Sequence, residues 1–449
     1  MIRRHVDGAG TSSSALAEPR AVPPPAADRR RTRRALAAWA GLIVSAFAAG
    51  AVLHGLGVLT IDHLPPLHAH FRVLTITLLP AAVLAAAAVI VLPDLLARGG
   101  FGRALLLAYG CALAWTILLA LSGDGPAEPL THQTEYLAVL PAVGDDPLGW
   151  LASFTERLGG YPTHVRGHPP LPVLILWGLA RLGMPGALPA SLLVITVACS
   201  ATVAIGLTVR TLAGEDAARR ALPYLALTPS AVWIATSMDA LFAGVGAWGV
   251  ALLVLPCRGR SGPAARARVL CGVAAGALLG ALPYLSYGLV PYLLIPLVAG
   301  MVARVPKATV FAALFGAAAV TAAFAAGGFL WPAGVLATHA QWAADAGAAR
   351  PYLYFLVANM GVLALMSGPA TAAGLVRAGS RPVGAMVAAA LVAVLALDLS
   401  GVTRGEVERI WVPYALWVGL AAGAVPGRRW LAAQVVTGLL LQSLVLSPW

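Results

Sequence analysis

Runs of about 20 apolar residues, nearly free of charge, recur along this chain from residue 36 to its end. That is the length an α-helix needs to cross a hydrocarbon core about 30 Å thick. Within lipid every backbone N–H and C=O must find its partner inside the protein, so a chain of such runs folds as packed helices. Composition agrees: 59% of residues are hydrophobic and 11% are charged, with mean hydropathy +0.83. A soluble domain carries about 25% charged residues, so this chain cannot dress a water-facing surface of its own. The expected class is all-α, a polytopic transmembrane bundle of about 13 spans.

Net charge is +12, which in a soluble protein would suggest nucleic acid. Here the basic residues form short clusters at the ends of apolar runs, the positive-inside pattern, and no nucleic-acid partner is expected. Of the four cysteines, Cys111, Cys199 and Cys271 lie within or beside apolar runs. No metal-ligand spacing or disulfide framework links them, and they read as small buried hydrophobes.

Residues 1–34 form a polar leader with Ser- and Pro-rich pieces that ends in RRRTRR. Such a segment has too little apolar surface to fold, and a disordered cytoplasmic tail is expected. Its arginines fix the N-terminus inside and suit anionic lipid. The remainder, 35–449, reads as one transmembrane domain. Spans at about 36–58, 72–93 and 103–121, with a basic inner flank at LLARGGFGR, place the loop 122–168 outside the cytoplasm.

Further apolar segments lie at about 170–183, 187–210, 221–236, 238–256, 268–283, 286–304, 309–331, 351–376, 383–399, 409–425 and 430–447. Parity is open in the first of these. Full crossing by both 170–183 and 187–210 puts the basic turn Arg210–Arg220 outside, against its charge. Partial crossing by one of them removes the conflict. Tyr284, Tyr287, Tyr292, Trp331, Trp342 and Trp411 fit an aromatic belt.

The polar loop concentrates the chemistry. Glu135, in TEYL, is a candidate general base where partial desolvation raises a carboxyl group's hold on protons; otherwise it is one of several solvated acids. Asp145 and Asp146, before Pro147, offer a metal-sharing pair or, more simply, the cap of the amphipathic stretch PLGWLASFTERL. His164, Arg166 and His168 alternate in THVRGHPP. Gly167, Pro169 and Pro170 oppose a helix there, so an extended segment aiming donors at an anion is expected. Snorkelling at the membrane surface is the plainer role.

Two candidates lie beyond the loop. Asp239, in IATSMDALFAG, is a lone acid at membrane depth, or a cap for the helix that follows. GEVERIW carries Glu406, Glu408 and Arg409, with Arg404 just before. Arg409 directed into the bundle suits a phosphate taken as a fork, and an ordinary ion-paired turn is the alternative. His63, His68 and His70 add imidazoles to an outer loop, but a divalent metal has no support from spacing.

The order of these features resembles the GT-C superfamily of membrane glycosyltransferases, in particular its protein-mannosyltransferase-like and aminoarabinose-transferase-like branch. The resemblance rests on Glu135–Tyr136 in a first long outer loop and on His168-Pro169-Pro170-Leu171 at the head of the next apolar run. GYPTHVRGHPP, RPYLYF and GEVERIWVPY are also similar to actinobacterial GT-C-like integral membrane proteins. Where the branch has Asp or Asp-Glu, this chain has Thr134–Glu135, with Asp145 and Asp146 next in line.

The resemblance implies an inverting transfer at the plasma membrane. A sugar would move from a polyprenyl-phosphate donor to a cell-wall glycan, glycolipid or protein acceptor outside the cytoplasm. A loop carboxylate would act as base, and Arg166 or Arg409 would stabilise the leaving phosphate. Tyr136, His164, His168, Asp239 and Glu406 would line the substrate site. Two other classes stay in view: a transporter or flippase of lipid-linked substrates, with Asp239 and Asp398 as its main intramembrane charges, and a non-catalytic envelope scaffold.

Overall fold

The computed structural model describes residues 26–446, apart from 60, 62–63, 236, 258–264, 378 and 426. Residues 1–25, Asp62 and His63 thus lie outside the described residues. The basic cluster Arg29–Arg34 belongs to the first helix, Ala26–Gly55, so the last residues of the expected tail are helical. Alanine and arginine are strong helix formers, which lets the helix run past its apolar stretch.

Nine helices among the described residues are long and apolar enough to cross a membrane: Ala27–Gly55, Ile76–Ala97, Phe101–Leu121, Ala187–Ala213, Asp239–Cys257, Ala265–Leu285, Lys307–Ala326, Tyr352–Leu375 and Arg381–Leu399. Three shorter apolar helices, Leu171–Arg181, Tyr287–Ala303 and Val412–Ala424, accompany them. The expected count of about 13 is therefore not met by long helices alone. Among the described residues, strand structure is confined to a two-residue pairing, His70–Phe71 against Val445–Leu446.

With lipid outside as apolar as the core, helices associate through close approach of small residues. Gly272, Gly276 and Gly280 form such a ridge on Ala265–Leu285. A Cβ at Gly276 would collide with the Ala313 carbonyl of the Lys307–Ala326 helix. The outward faces keep large hydrophobes such as Ile90, Leu106 and Phe311 exposed. The aromatic belt is only partly there. Tyr284, Tyr292 and Trp411 are buried inside the bundle, Tyr284 stacked on Phe324 and Tyr292 accepting from Trp417 Nε1 at 2.7 Å.

Contacts between distant turns sort the helix ends. Arg219 donates to the carbonyls of Leu96 and Gly99, and Arg210 lies 4.3 Å from the centroid of the Phe101 ring. Arg428 pairs with Asp94 at 2.9 Å. Arg377 reaches Thr32 of the first helix at 3.5 Å. These basic turns share one end of the bundle. The long polar loop holds the other end, where Thr77 donates to the Ser122 carbonyl at 3.0 Å and Trp331 to that of Pro283 at 2.9 Å.

This sorting removes the parity conflict. Leu171–Arg181 has 11 residues, about half the length that crosses a bilayer. Trp177 Nε1 donates to the Gly144 carbonyl at 2.8 Å, and Arg181 pairs with Asp145. The helix therefore stays with the loop, and the next one, beginning beside Pro126, carries the chain to the basic end. The expected span at 221–236 is broken. Helix Glu215–Ala226 stops before Pro229, and a 3₁₀ segment, Pro229–Trp233, continues the path. At the break the Thr228 carbonyl accepts from Ala231 N–H at 3.2 Å and from Trp115 Nε1 at 3.1 Å, and such partners inside the protein make a break tolerable away from water.

Candidate functional site: an acid–base ring under the loop

The loop is a succession of single turns rather than an extended flap. Glu135 stands in extended conformation just ahead of a 3₁₀ turn, Tyr136–Val139. His164 opens the far end of the loop, in the helical turn Thr163–Arg166. The His164 N–H donates to the Thr134 carbonyl at 3.2 Å, stitching the two ends together. Glu135 Oε1 then lies 2.6 Å from His164 Nδ1, both side chains buried.

The segment THVRGHPP opens with a helical turn, Thr163–Arg166, where an extended run was expected. The prolines follow His168 and so do not interrupt the turn before it. One turn after His164, His168 Nδ1 donates to the His164 carbonyl at 2.8 Å. A carbonyl only accepts, so Nδ1 carries the proton and Nε2 is the nitrogen turned to Asp239, 3.6 Å from Oδ1.

Asp239 is 2% exposed and begins the Asp239–Val254 helix. The N-cap of that helix is Met238, and Asp239 stands in its first turn. Its Oδ2 takes Arg409 Nη1 at 2.7 Å. The other arm of the Arg409 fork reaches Glu406 Oε2, also at 2.7 Å. Glu406 adopts a left-handed backbone, φ 60°, uncommon for a residue with a side chain and found where a site over-determines it. Behind Glu406 stands Arg350, Nη1 3.9 Å from Oε1.

Tyr136 fills the middle of this ring. Its ring centroid is 5.7 Å from that of His168 and 6.4 Å from that of His164. Its hydroxyl, Glu135 Oε2 and Ser237 Oγ are buried without a hydrogen-bond partner among the described residues. Burial raises the Tyr136 phenol well above its usual range, with the charges of Asp239 and Glu135 adding to the effect. Burial would also raise Glu406, but the adjacent Arg409 guanidinium more than offsets it and the group is lowered. Burial works against the Arg409 charge, and Asp239 and Glu406 reverse that, so the guanidinium is raised. Glu408, the next residue but one, is buried too; burial pushes it up to about 7, with the Glu406 charge adding to the effect and the Arg409 charge only partly opposing it.

The ring thus gathers Glu135, Tyr136, His164, His168, Asp239, Glu406 and Arg409. Three other candidates lie elsewhere. Asp146 caps the turn Pro147–Ala152, its Oδ1 accepting from Gly149 N at 2.8 Å. Asp145 is exposed and pairs with Arg181. Arg166 faces Asp345, 3.7 Å away, on the 332–350 connection. Arg350 was not singled out from sequence, although it heads RPYLYF. Among the described residues no group of three or more His, Cys, Asp or Glu side chains is placed to hold a metal ion.

Chemically, a carboxylate bonded to an imidazole can receive a proton from a hydroxyl group, and a desolvated guanidinium can stabilise a phosphate that develops charge. A scan against protein-family models finds no match to this chain, and a search of curated proteins likewise finds none.

Proposed function

We propose that this chain is a membrane glycosyltransferase of GT-C type. It moves a sugar from a polyprenyl-phosphate donor to an acceptor hydroxyl of the cell envelope outside the cytoplasm. The observation that carries the reading is the meeting, in one buried ring, of Glu135 and two loop histidines with Asp239 and Arg409 from segments far apart in sequence. The acceptor oxygen attacks the anomeric carbon with inversion, and its proton passes to the Glu135–His164 pair. The bond from that carbon to the phosphate oxygen breaks, and the phosphate leaves with the electron pair. Arg409 meets that phosphate by exchanging Glu406, whose side chain is 25% exposed, against 3% for Asp239.

In this reading the basic end faces the cytoplasm of the plasma membrane and the loop faces outward. The nine long helices are joined by four shorter passages, through 215–233, Tyr287–Ala303, Val412–Ala424 and Arg428–Leu444. That makes thirteen crossings. The exposed hydrophobic flanks and the clustering of basic turns support it.

The test is transfer from labelled polyprenyl-phosphate hexoses and pentoses in membranes holding the chain. Glu135→Gln keeps the shape and a hydrogen bond to His164 but removes the base. Transfer should fall by about 10²–10⁴-fold with melting unchanged. A variant with full turnover refutes the assignment of Glu135. A second reading also has an observation behind it: both arms of the Arg409 fork are already filled by carboxylates, as in a lock that holds a transporter or scaffold together. It predicts no sugar transfer with any donor and loss of assembly when the ring is broken.

A further inference from the structure

The basic end holds a feature that the ring does not use. A cavity of about 540 Å³ opens between the Glu215–Ala226, Tyr352–Leu375 and Arg381–Leu399 helices and the 3₁₀ segment Gly419–Ala424. Its polar lining is Arg220, Arg377 and Ser380, and among the described residues no acidic one lines it. The nearby carboxylate of Glu215 is engaged by Arg210 and Arg219, each at 2.6 Å. Arg377 Nε is buried without a hydrogen-bond partner among the described residues. The opposite wall is apolar, with Val383, Val387 and Leu391 one helical turn apart on a single face.

Gly384 and Ala388, also on this wall, are exposed. They lie within a helix apolar enough to cross a membrane, so the cavity opens sideways toward lipid. A Cβ at Gly384 would meet nothing within 4 Å.

We propose that this cavity binds an anionic phospholipid of the leaflet that bathes the basic end. The phosphate sits between Arg220 and Arg377, and one acyl chain lies along Val383, Val387 and Leu391. A fork of planar donors at a membrane-water boundary matches a phosphate diester, and basic pockets between membrane helices on one leaflet take such head groups. An apolar strip beside the cations distinguishes a lipid from a soluble anion. The inference does not depend on the transferase reading, since it concerns the other end of the bundle.

The full chain in nanodiscs or detergent, titrated with fluorescent phosphatidylglycerol and with phosphatidylcholine, tests it. Phosphatidylglycerol should bind more tightly. Each of Arg220→Gln and Arg377→Gln should weaken it about fivefold. Gly384→Leu occupies open space on a helix and improves helix propensity, so the fold survives while the chain groove is filled. That variant should displace the lipid with melting retained or raised. The proposal is overturned by equal binding of the two lipids, by arginine variants that bind as the parent does, or by unchanged binding to Gly384→Leu. Competition separates the sources. If inorganic phosphate displaces the lipid as well as lyso-phosphatidylglycerol does, the acyl strip contributes nothing and the lipid assignment fails.

Discussion

Replacing Arg409 by glutamine asks whether the ring is held together by a buried charge. The guanidinium side chain is 5% exposed and serves two carboxylates at 2.7 Å. Without it, among the described residues Asp239 keeps His168 Nε2 at 3.6 Å, beyond good hydrogen-bond range. Glu406 keeps Arg350 at 3.9 Å. Removing one partner of a buried pair costs about 3–5 kcal/mol, because the other charge is left uncompensated. Most of that should come from Asp239, since Glu406 is a quarter exposed and water screens it.

The assay is reversible unfolding in mixed micelles, read on the full chain. Arg409→Gln alone should lose about 3–5 kcal/mol. Adding Asp239→Asn, which removes the stranded charge, should restore about 2 kcal/mol. Arg409→Lys retains charge but not the fork, and should fall between the parent and the glutamine variant. If Arg409→Gln costs under about 1 kcal/mol, the pair behaves like a surface salt bridge, and the argument from buried charge is wrong.

Other consequences can be checked separately. Glu408 is raised in the folded chain from 4.5 to about 7. The folded state therefore holds the proton more tightly, and stability should fall as pH rises through that window; Glu408→Gln should flatten the slope in pH-dependent melting. Gly276→Val should force two helices apart at the Ala313 carbonyl, costing about 1–3 kcal/mol by thermal unfolding. Asp146→Ala removes a cap and should cost about 1 kcal/mol. Asp145→Asn, at an exposed side chain, should stay within about 0.5 kcal/mol of the parent in the same measurement.

Class was legible because hydropathy and charge act locally. A run too apolar for water declares itself wherever it sits, and Arg98, Arg219 and Arg428 mark helix ends by charge alone. Length was not so legible. The run PPLPVLILWGLARL is apolar enough to enter a bilayer, and only its bonds to Gly144 and Asp145 show that it stays with the loop. The 221–236 stretch looked continuous because its apolar run gives no sign that the helix ends before Pro229, or that Trp115, more than a hundred residues away, donates to Thr228 there.

The site divides the same way. Glu135 and His168 stood out because polar groups are scarce in this chain, yet scarcity says nothing about who meets whom. Asp145 and Asp146 stood next in line after Glu135, and what separates them in the fold is the backbone bond from His164 to Thr134. That bond draws one acid inward and leaves the others at the surface. Arg409 and Asp239 are 170 residues apart; from sequence Asp239 reads as a lone charge and Arg409 as part of a cluster with Arg404, Glu406 and Glu408. The physical reason to expect them together is that neither is tolerable in a bilayer without the other. In a chain with so few intramembrane charges, opposite signs at the same depth are the strongest pairing rule available. It calls for a cation beside Asp239 but does not choose Arg409 over Arg404. It would not have found Arg350, whose partner Glu406 is reached only because the backbone turns left-handed there.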